Sequence, residues 1–183
     1  KWDKINLTFH EISEKFDVKF DLTAREKVTR ADFIGRDLVV VLGGDGTLTS
    51  ISHNIDADTP VIGVNSHPIE DYPNGSFGFY MDSDVHTFGE DIVTALKGEA
   101  IINEIPRLQA IIDTTSGNRF TTDPAMNDLL IANTHQYAPS KYHLRRDGKK
   151  CRQQSSGIVF STWLGQGAWL NHILEEETLE KLR

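Results

Sequence analysis

The chain has 183 residues, 38% of them hydrophobic, and carries 19 Lys and Arg against 27 Asp and Glu for a net charge of −8. That apolar content supports a buried core in one ordinary domain or two small ones and argues against general disorder. The acidic balance gives no electrostatic help toward nucleic acid or an anionic membrane, so phosphate must be met locally, by backbone N–H groups, a helix N-terminus or a metal.

Ile5, Phe9, Ile12 and Phe16 recur at helical spacing, which predicts an amphipathic helix over residues 4–16. Val18 to Leu22 alternates apolar with polar and predicts a short strand. Leu38 to Leu42 is a continuous apolar run, as suits a strand covered on both faces of a parallel sheet. Gly43-Gly44-Asp45-Gly46-Thr47 follows directly, then a predicted helix over 47–55 and a strand over Pro60 to Asn65. Strand, glycine loop, helix, strand is the order of an α/β sheet whose site lies at the carboxyl ends of its strands. Residues 66–76 hold two prolines and a glycine and read as a loop, and Asp84 to Lys97 reads as a helix stopped by Gly98. Beyond Ile101 the texture turns to strand. Arg107 to Asp113 and Tyr142 to Arg146 are β-like, Asp147-Gly148 signals a hairpin, and Leu170 to Arg183 looks helical. The reading is an α/β domain over 1–100 with a Rossmann-like parallel sheet, then a mainly β domain over 101–183.

The glycine loop carries the chemistry. Glycines let the backbone approach a ligand, and successive N–H groups can cradle phosphate oxygens. An aspartate there would repel the anion, so Asp45 makes better sense as a proton acceptor for an attacking hydroxyl or as a partner for Mg²⁺. The loop lacks the lysine of a P-loop and is not GxGxxG. The plain alternative is a tight turn with Asp45 capping the helix.

Gly43-Gly44-Asp45-Gly46-Thr47 resembles the GGDGT motif shared by NAD kinases and by the diacylglycerol and sphingosine kinases. Further segments resemble NAD kinases. Gly63-Val64-Asn65 followed by Gly75-Ser76-Phe77-Gly78-Phe79-Tyr80 looks like the family's GxN…GxLGF[LY] segment, lengthened by an insertion. Ala125-Met126-Asn127-Asp128-Leu129-Leu130-Ile131 resembles its Asn-Glu or Asn-Asp strand. Ser155 to Trp169 is similar to its glycine-rich segment, closest to the SSG…TGTGSKAW form of the mitochondrial type. The motifs keep their order over residues 37–169.

The resemblance implies an NAD kinase-like fold and transfer of the ATP γ-phosphoryl group to the 2′-hydroxyl of the adenosine ribose of NAD, giving NADP. By the same resemblance Asp45 accepts the hydroxyl proton, and backbone N–H groups of Gly44, Gly46 and Thr47 meet phosphate oxygens. Asn127 and Asp128 hold the adenosine, and Phe79, Tyr80, Ala168 and Trp169 wall the nucleotide. Asn65, Ser156 and Thr162 complete the binding set. No residue is assigned as a metal ligand; with net charge −8 and no P-loop lysine, Mg²⁺ or another divalent cation is expected to neutralise most of the donor's charge. NAD and ATP are the expected partners, with neither nucleic acid nor membrane, in a homo-oligomer (dimer or tetramer). The expected compartment is the cytoplasm of a bacterium, or the mitochondrial matrix if the source is eukaryotic.

The chain departs from the pattern in three places. Ser156 stands where many bacterial members have an aspartate, as it does in the mitochondrial type. Trp163-Leu164-Gly165-Gln166-Gly167 replaces small hydroxyl-bearing residues with bulk, which makes a weak or inactive NAD-binding member the main alternative and a lipid kinase the lesser one. The family's second domain normally continues well past this segment, so the resemblance implies further chain at the end and between Arg119 and Ala125. The start, Lys1-Trp2-Asp3, lacks Met and reads as no signal peptide, which leaves room for trimming at the front. Cys151, the single cysteine, makes no internal disulfide and fits a reducing compartment. The seven histidines show no zinc-site spacing, and Lys141, Arg145, Arg146, Lys149, Lys150 and Arg152 form the one basic cluster, read as a solvated hairpin.

Overall fold

The apolar run after Asp37 forms a strand, β1 (Val39–Gly43), in the computed structural model, which describes residues 2–135 and 137–174. β1 pairs in parallel with β2 (Val61–Asn65), and β2 with a two-residue β3 (Ser83–Asp84), giving the order β1-β2-β3. Gly43 lies opposite Asn65, and Asn65 opposite Asp84, so the carboxyl ends of all three strands are level. This sheet belongs to the first of two compact units, Lys1–Glu104; the second is Ile105–Arg183.

Helices α1 (Trp2–Phe16) and α3 (Phe88–Leu96) supply the sheet's main cover. Ile5, Ile12, Val64, Phe88 and Ile92 form the buried cluster, with Phe9, Phe16, Leu38, Val40, Leu42 and Val85 packed against it. Val41 is buried as well and faces the other side of the sheet by the period-two rule. Helix α2 (Asp45–Ile51) buries Leu48 and Ile51 and runs on as a 3₁₀ turn, Ser52–Asn54.

Three boundaries differ from the sequence reading. Val18 to Leu22 is not a strand, because no strand lies beside it to accept its hydrogen bonds. Residues 19–22 instead line a groove of about 320 Å³ whose other lining includes Leu38 to Leu42. Helix α2 begins at Asp45, two residues before the predicted start. Helix α3 begins at Phe88 and not at Asp84, because the Asp84 carboxylate accepts the amides of His86 (2.6 Å) and Thr87 (3.0 Å) and holds a turn there. Gly98 does stop the helix, with φ +72°.

The second unit is built of antiparallel pairs: β4 (Ile111–Asp113) with β5 (Arg119–Thr121), β6 (Asp128–Ala132) with β9 (Gly157–Ser161), and β7 (Ser140–Arg146) with β8 (Lys149–Ser155). The β-like stretch from Arg107 forms only an isolated bridge, Leu108 to Ala125, before β4. Asp147 (φ 48°) and Gly148 (φ 75°) are both left-handed, as the predicted Asp-Gly hairpin requires. Cys151 is exposed on β8. Helix α4 spans Trp169–Ile173, and the predicted helical stretch beyond residue 174 lies outside the described residues.

Candidate functional site

In the first unit the site is the bend between β1 and α2, at the carboxyl end of the sheet. Gly44 is the N-cap of α2, and Asp45 occupies its first turn, where a negative charge is favoured. Both carboxylate oxygens are held by a loop more than thirty residues away in sequence. The Ser76 hydroxyl donates to Oδ2 at 2.8 Å, and the Tyr80 amide donates to Oδ1 at 2.8 Å. The same Ser76 Oγ accepts from the amides of Asp45 (3.3 Å) and Gly78 (3.2 Å).

The packing explains the paired glycines. A Cβ at Gly43 would run into the Thr47 side chain, and one at Gly44 would lie 2.8 Å from the Ser76 Cβ. Of the three amides predicted to face phosphate, that of Thr47 donates to the Gly44 carbonyl at 2.8 Å, so the helical turn absorbs it. The amides of Gly44 and Gly46 have no such partner among the described residues.

Asn65 has a structural task as well. It is buried at the end of β2; its Nδ2 donates to the Ser76 carbonyl (2.9 Å) and its Oδ1 accepts the His67 amide (3.1 Å). Its amide group fastens both ends of the 66–76 loop, so it supports the site from below. Phe79 is exposed and Tyr80 half-buried, their rings 4.9 Å apart edge to face. Gly44, Asp45 and Asn65 therefore meet at Ser76, and the Tyr80 amide shares the Asp45 carboxylate with it; the sequence presents Ser76 only as part of a motif. The signal available was a small hydroxyl residue between two glycine turns.

In the second unit Asn127 and Asp128 enter β6 opposite the end of β9. Asp128 pairs with Ser161, and the Thr162 amide donates to the Asn127 carbonyl at 2.8 Å. Thr162 is buried; its hydroxyl donates to the Met126 carbonyl (2.7 Å) and accepts the Gly165 amide (3.0 Å). That makes Thr162 an internal tie between two segments and leaves it no hydroxyl proton for a nucleotide. Asp128 Oδ1 is shielded from solvent and has no hydrogen-bond partner among the described residues. Such an atom is costly unless a ligand or water completes it. Ser156 sits at the opposite end of β9, beside the Ala132–Gly157 pair, six residues or roughly 20 Å along the strand from Thr162. The strand's length keeps it from the Asn127–Asp128 end. Ala168 caps α4, and Trp169, its first residue, is exposed. Among the described residues no group of three His, Cys, Asp or Glu is placed to hold a metal ion. Nor is any described helix long and apolar enough to cross a membrane.

The fold resembles that of an NAD kinase from Archaeoglobus fulgidus solved in complex with ATP, with a TM-score of 0.65 at 18% identity, over 90% of this chain and 59% of that one. It also resembles yeast NADH kinase complexed with NADH, at a TM-score of 0.57 and 20% identity, over 88% of this chain and 49% of that one. By sequence, the NAD kinase of Clostridium perfringens is 26% identical over 141 residues, covering 75% of this chain and 47% of the relative. That of Halorubrum lacusprofundi is 30% identical over 140 residues, covering 73% and 46%. The chain thus spans about half the length of the curated relatives it matches. Residues 5–100, more than half of the chain, match the ATP-NAD kinase N-terminal domain, and the chain belongs to the NAD kinase family.

Proposed function

We propose that the protein transfers the γ-phosphoryl group of ATP to the 2′-hydroxyl of the adenosine ribose of NAD, forming NADP and ADP. The observation that carries the reading is the placement of Asp45, a carboxylate locked by two hydrogen bonds at the carboxyl end of a parallel sheet. Phosphoryl transfer asks a protein mainly for positioning and charge stabilisation. Asp45 accepts the proton of the 2′-hydroxyl, the freed oxygen attacks the γ-phosphorus, and the bond from phosphorus to the β-phosphate oxygen breaks as ADP leaves. Each oxygen of a carboxylate offers about two acceptor sites, so one remains on each after the Ser76 and Tyr80 bonds.

The free amides of Gly44 and Gly46 add donors for phosphate oxygens. A divalent cation such as Mg²⁺, brought in with the donor, would offset charge that a chain of net charge −8 would otherwise repel. In the second unit, the unpartnered Asp128 Oδ1 is suited to accept a nucleoside hydroxyl, with the Asn127 amide beside it in sequence. In the first unit the exposed Phe79 offers a flat surface for a base, and in the second the exposed Trp169 offers another. A homo-oligomer in the cytoplasm is the setting this reading takes from the family.

Mixing the protein with NAD, ATP and Mg²⁺ should yield NADP. Asp45→Asn should lower turnover by roughly 10²–10⁴-fold while NAD binding, followed by calorimetry, stays near wild type. Undiminished turnover in Asp45→Asn rules the assignment out. One observation favours a second reading, an NAD-binding member without turnover. Trp163, in place of a small residue of the family motif, is 70% exposed ahead of the 3₁₀ turn Leu164–Gly167. NAD binding with no NADP formed, in wild type and in Trp163→Thr alike, would select it.

A further inference from the structure

We infer that Ser76 is a positioning residue for the Asp45 carboxylate, acting through its hydroxyl; the inference rests on the reading of Asp45 as proton acceptor. A serine hydroxyl has one proton to give and two lone pairs to offer. Here all three are placed: the proton goes to Asp45 Oδ2 (2.8 Å), and the lone pairs meet the amides of Asp45 (3.3 Å) and Gly78 (3.2 Å). One side chain thereby grips both the backbone and the carboxylate of Asp45.

The grip is useful only if Ser76 is itself fixed, and its backbone is. Its amide donates to the His67 carbonyl (2.8 Å), and its carbonyl accepts from the Ile69 amide (3.0 Å) and from Asn65 Nδ2 (2.9 Å). Asn65 is buried and paired with Gly43 through the sheet register, so Ser76 is tied to the end of β2, and Asp45 stands one residue, Gly44, beyond the end of β1. The absence of a side chain at Gly44 leaves the space that Ser76 Cβ occupies. The Tyr80 amide, three residues beyond Phe77 on the same loop, then fixes the second oxygen. The carboxylate cannot turn about its own side-chain bonds without breaking two bonds at once. The lone pairs left over are therefore presented in a set direction, which is what a general base needs before substrate arrives.

Ser76→Ala removes the grip and leaves Asp45 in place. We expect kcat for NADP formation to fall about 10- to 100-fold, with KM for NAD moving less than about twofold, since positioning acts on the reacting state. Ser76→Thr keeps the hydroxyl and should recover most of the loss. A second readout needs no turnover. Hydrogen exchange at the Tyr80 amide should quicken in Ser76→Ala, as its acceptor loosens, while the Val64 amide inside the sheet stays at the wild-type rate. Ser76→Thr should return Tyr80 to the wild-type rate.

Wild-type kcat in Ser76→Ala beside a dead Asp45→Asn would overturn the positioning role and leave the proposed reaction standing. An active Asp45→Asn would remove the reaction assignment instead. In that case, or if wild type makes no NADP, the Tyr80 amide decides, and an unchanged exchange rate there overturns the role. Exchange that quickens at Val64 together with Tyr80, or a loss that Ser76→Thr does not repair, would make Ser76 a packing residue only and overturn the inference too.

Discussion

The two units solve the problem of burying apolar surface in opposite ways. In Lys1–Glu104 the parallel strands lie against helices, and Val64 and Phe88 are 0% and 2% exposed. In Ile105–Arg183 the strands come as two-stranded ribbons, and Met126 is the one buried apolar side chain among the described residues, while Ile111 is 66% exposed. Ile112, Phe120, Leu130, Ile131 and Phe160 are exposed with it. A parallel sheet forms only when something covers its faces. A ribbon needs only its ladder and its turn, and alone it is marginal in water. Hydrophobic burial therefore holds the unit that carries Asp45. Hydrogen bonds such as the seven-residue β7–β8 register and the tie at Thr162 hold the other.

Substitutions can break this contrast. Phe88→Ala removes a ring packed 5.0 Å from that of Phe9 and should lower the unfolding free energy by about 3–5 kcal/mol in urea titrations. A cost below ~1 kcal/mol would mean that the helix cover is not what holds the sheet. Ile111→Thr keeps a β-branched side chain on an exposed strand and should stay within ~0.5 kcal/mol of wild type. A cost as large as that of Phe88→Ala would show that the ribbon faces are buried in solution.

The smallest effect is a titration. Asp32 accepts the amide and hydroxyl of Thr29 (2.7 and 2.8 Å), and these bonds hold its carboxyl below the ordinary value of 3.8. A carboxyl lowered in the folded state adds stability that is fully present above its unfolded value and disappears as pH falls through the folded one. The capping turn Arg30–Asp32 should therefore loosen only below about pH 3.8, and Asp32→Asn should flatten that acid limb slightly. An acid limb unchanged in Asp32→Asn would put its cause elsewhere.

Much of the first unit was legible because its signals are local. The apolar run of β1, the glycine bend after it and the stop at Gly98 each follow from residues within a few positions of one another. Val18 to Leu22 misled because alternation reports which side chains could face a core, and a strand exists only if a neighbour pairs with it. The start of α3 was hidden by the competition of the Asp84 side chain for the amides of His86 and Thr87. At the glycine bend Asp45 is the residue that chemistry singles out. The roles of Asn65 and Thr162 could not be read in the sequence, since both act through backbone carbonyls far off in sequence, at Ser76 and Met126. Ser76 escaped for the same reason: its partner stands 31 positions away.

The crowding at the glycine bend has a bearing on how relatives should be sorted. Gly43 is bare because of Thr47, and Gly44 because of Ser76. A descendant that had given up its substrate would still need both while it kept those two neighbours. The glycines thus testify to how two loops nest, and under the proposed reaction the acid that follows them is the position at which its abandonment would first be written.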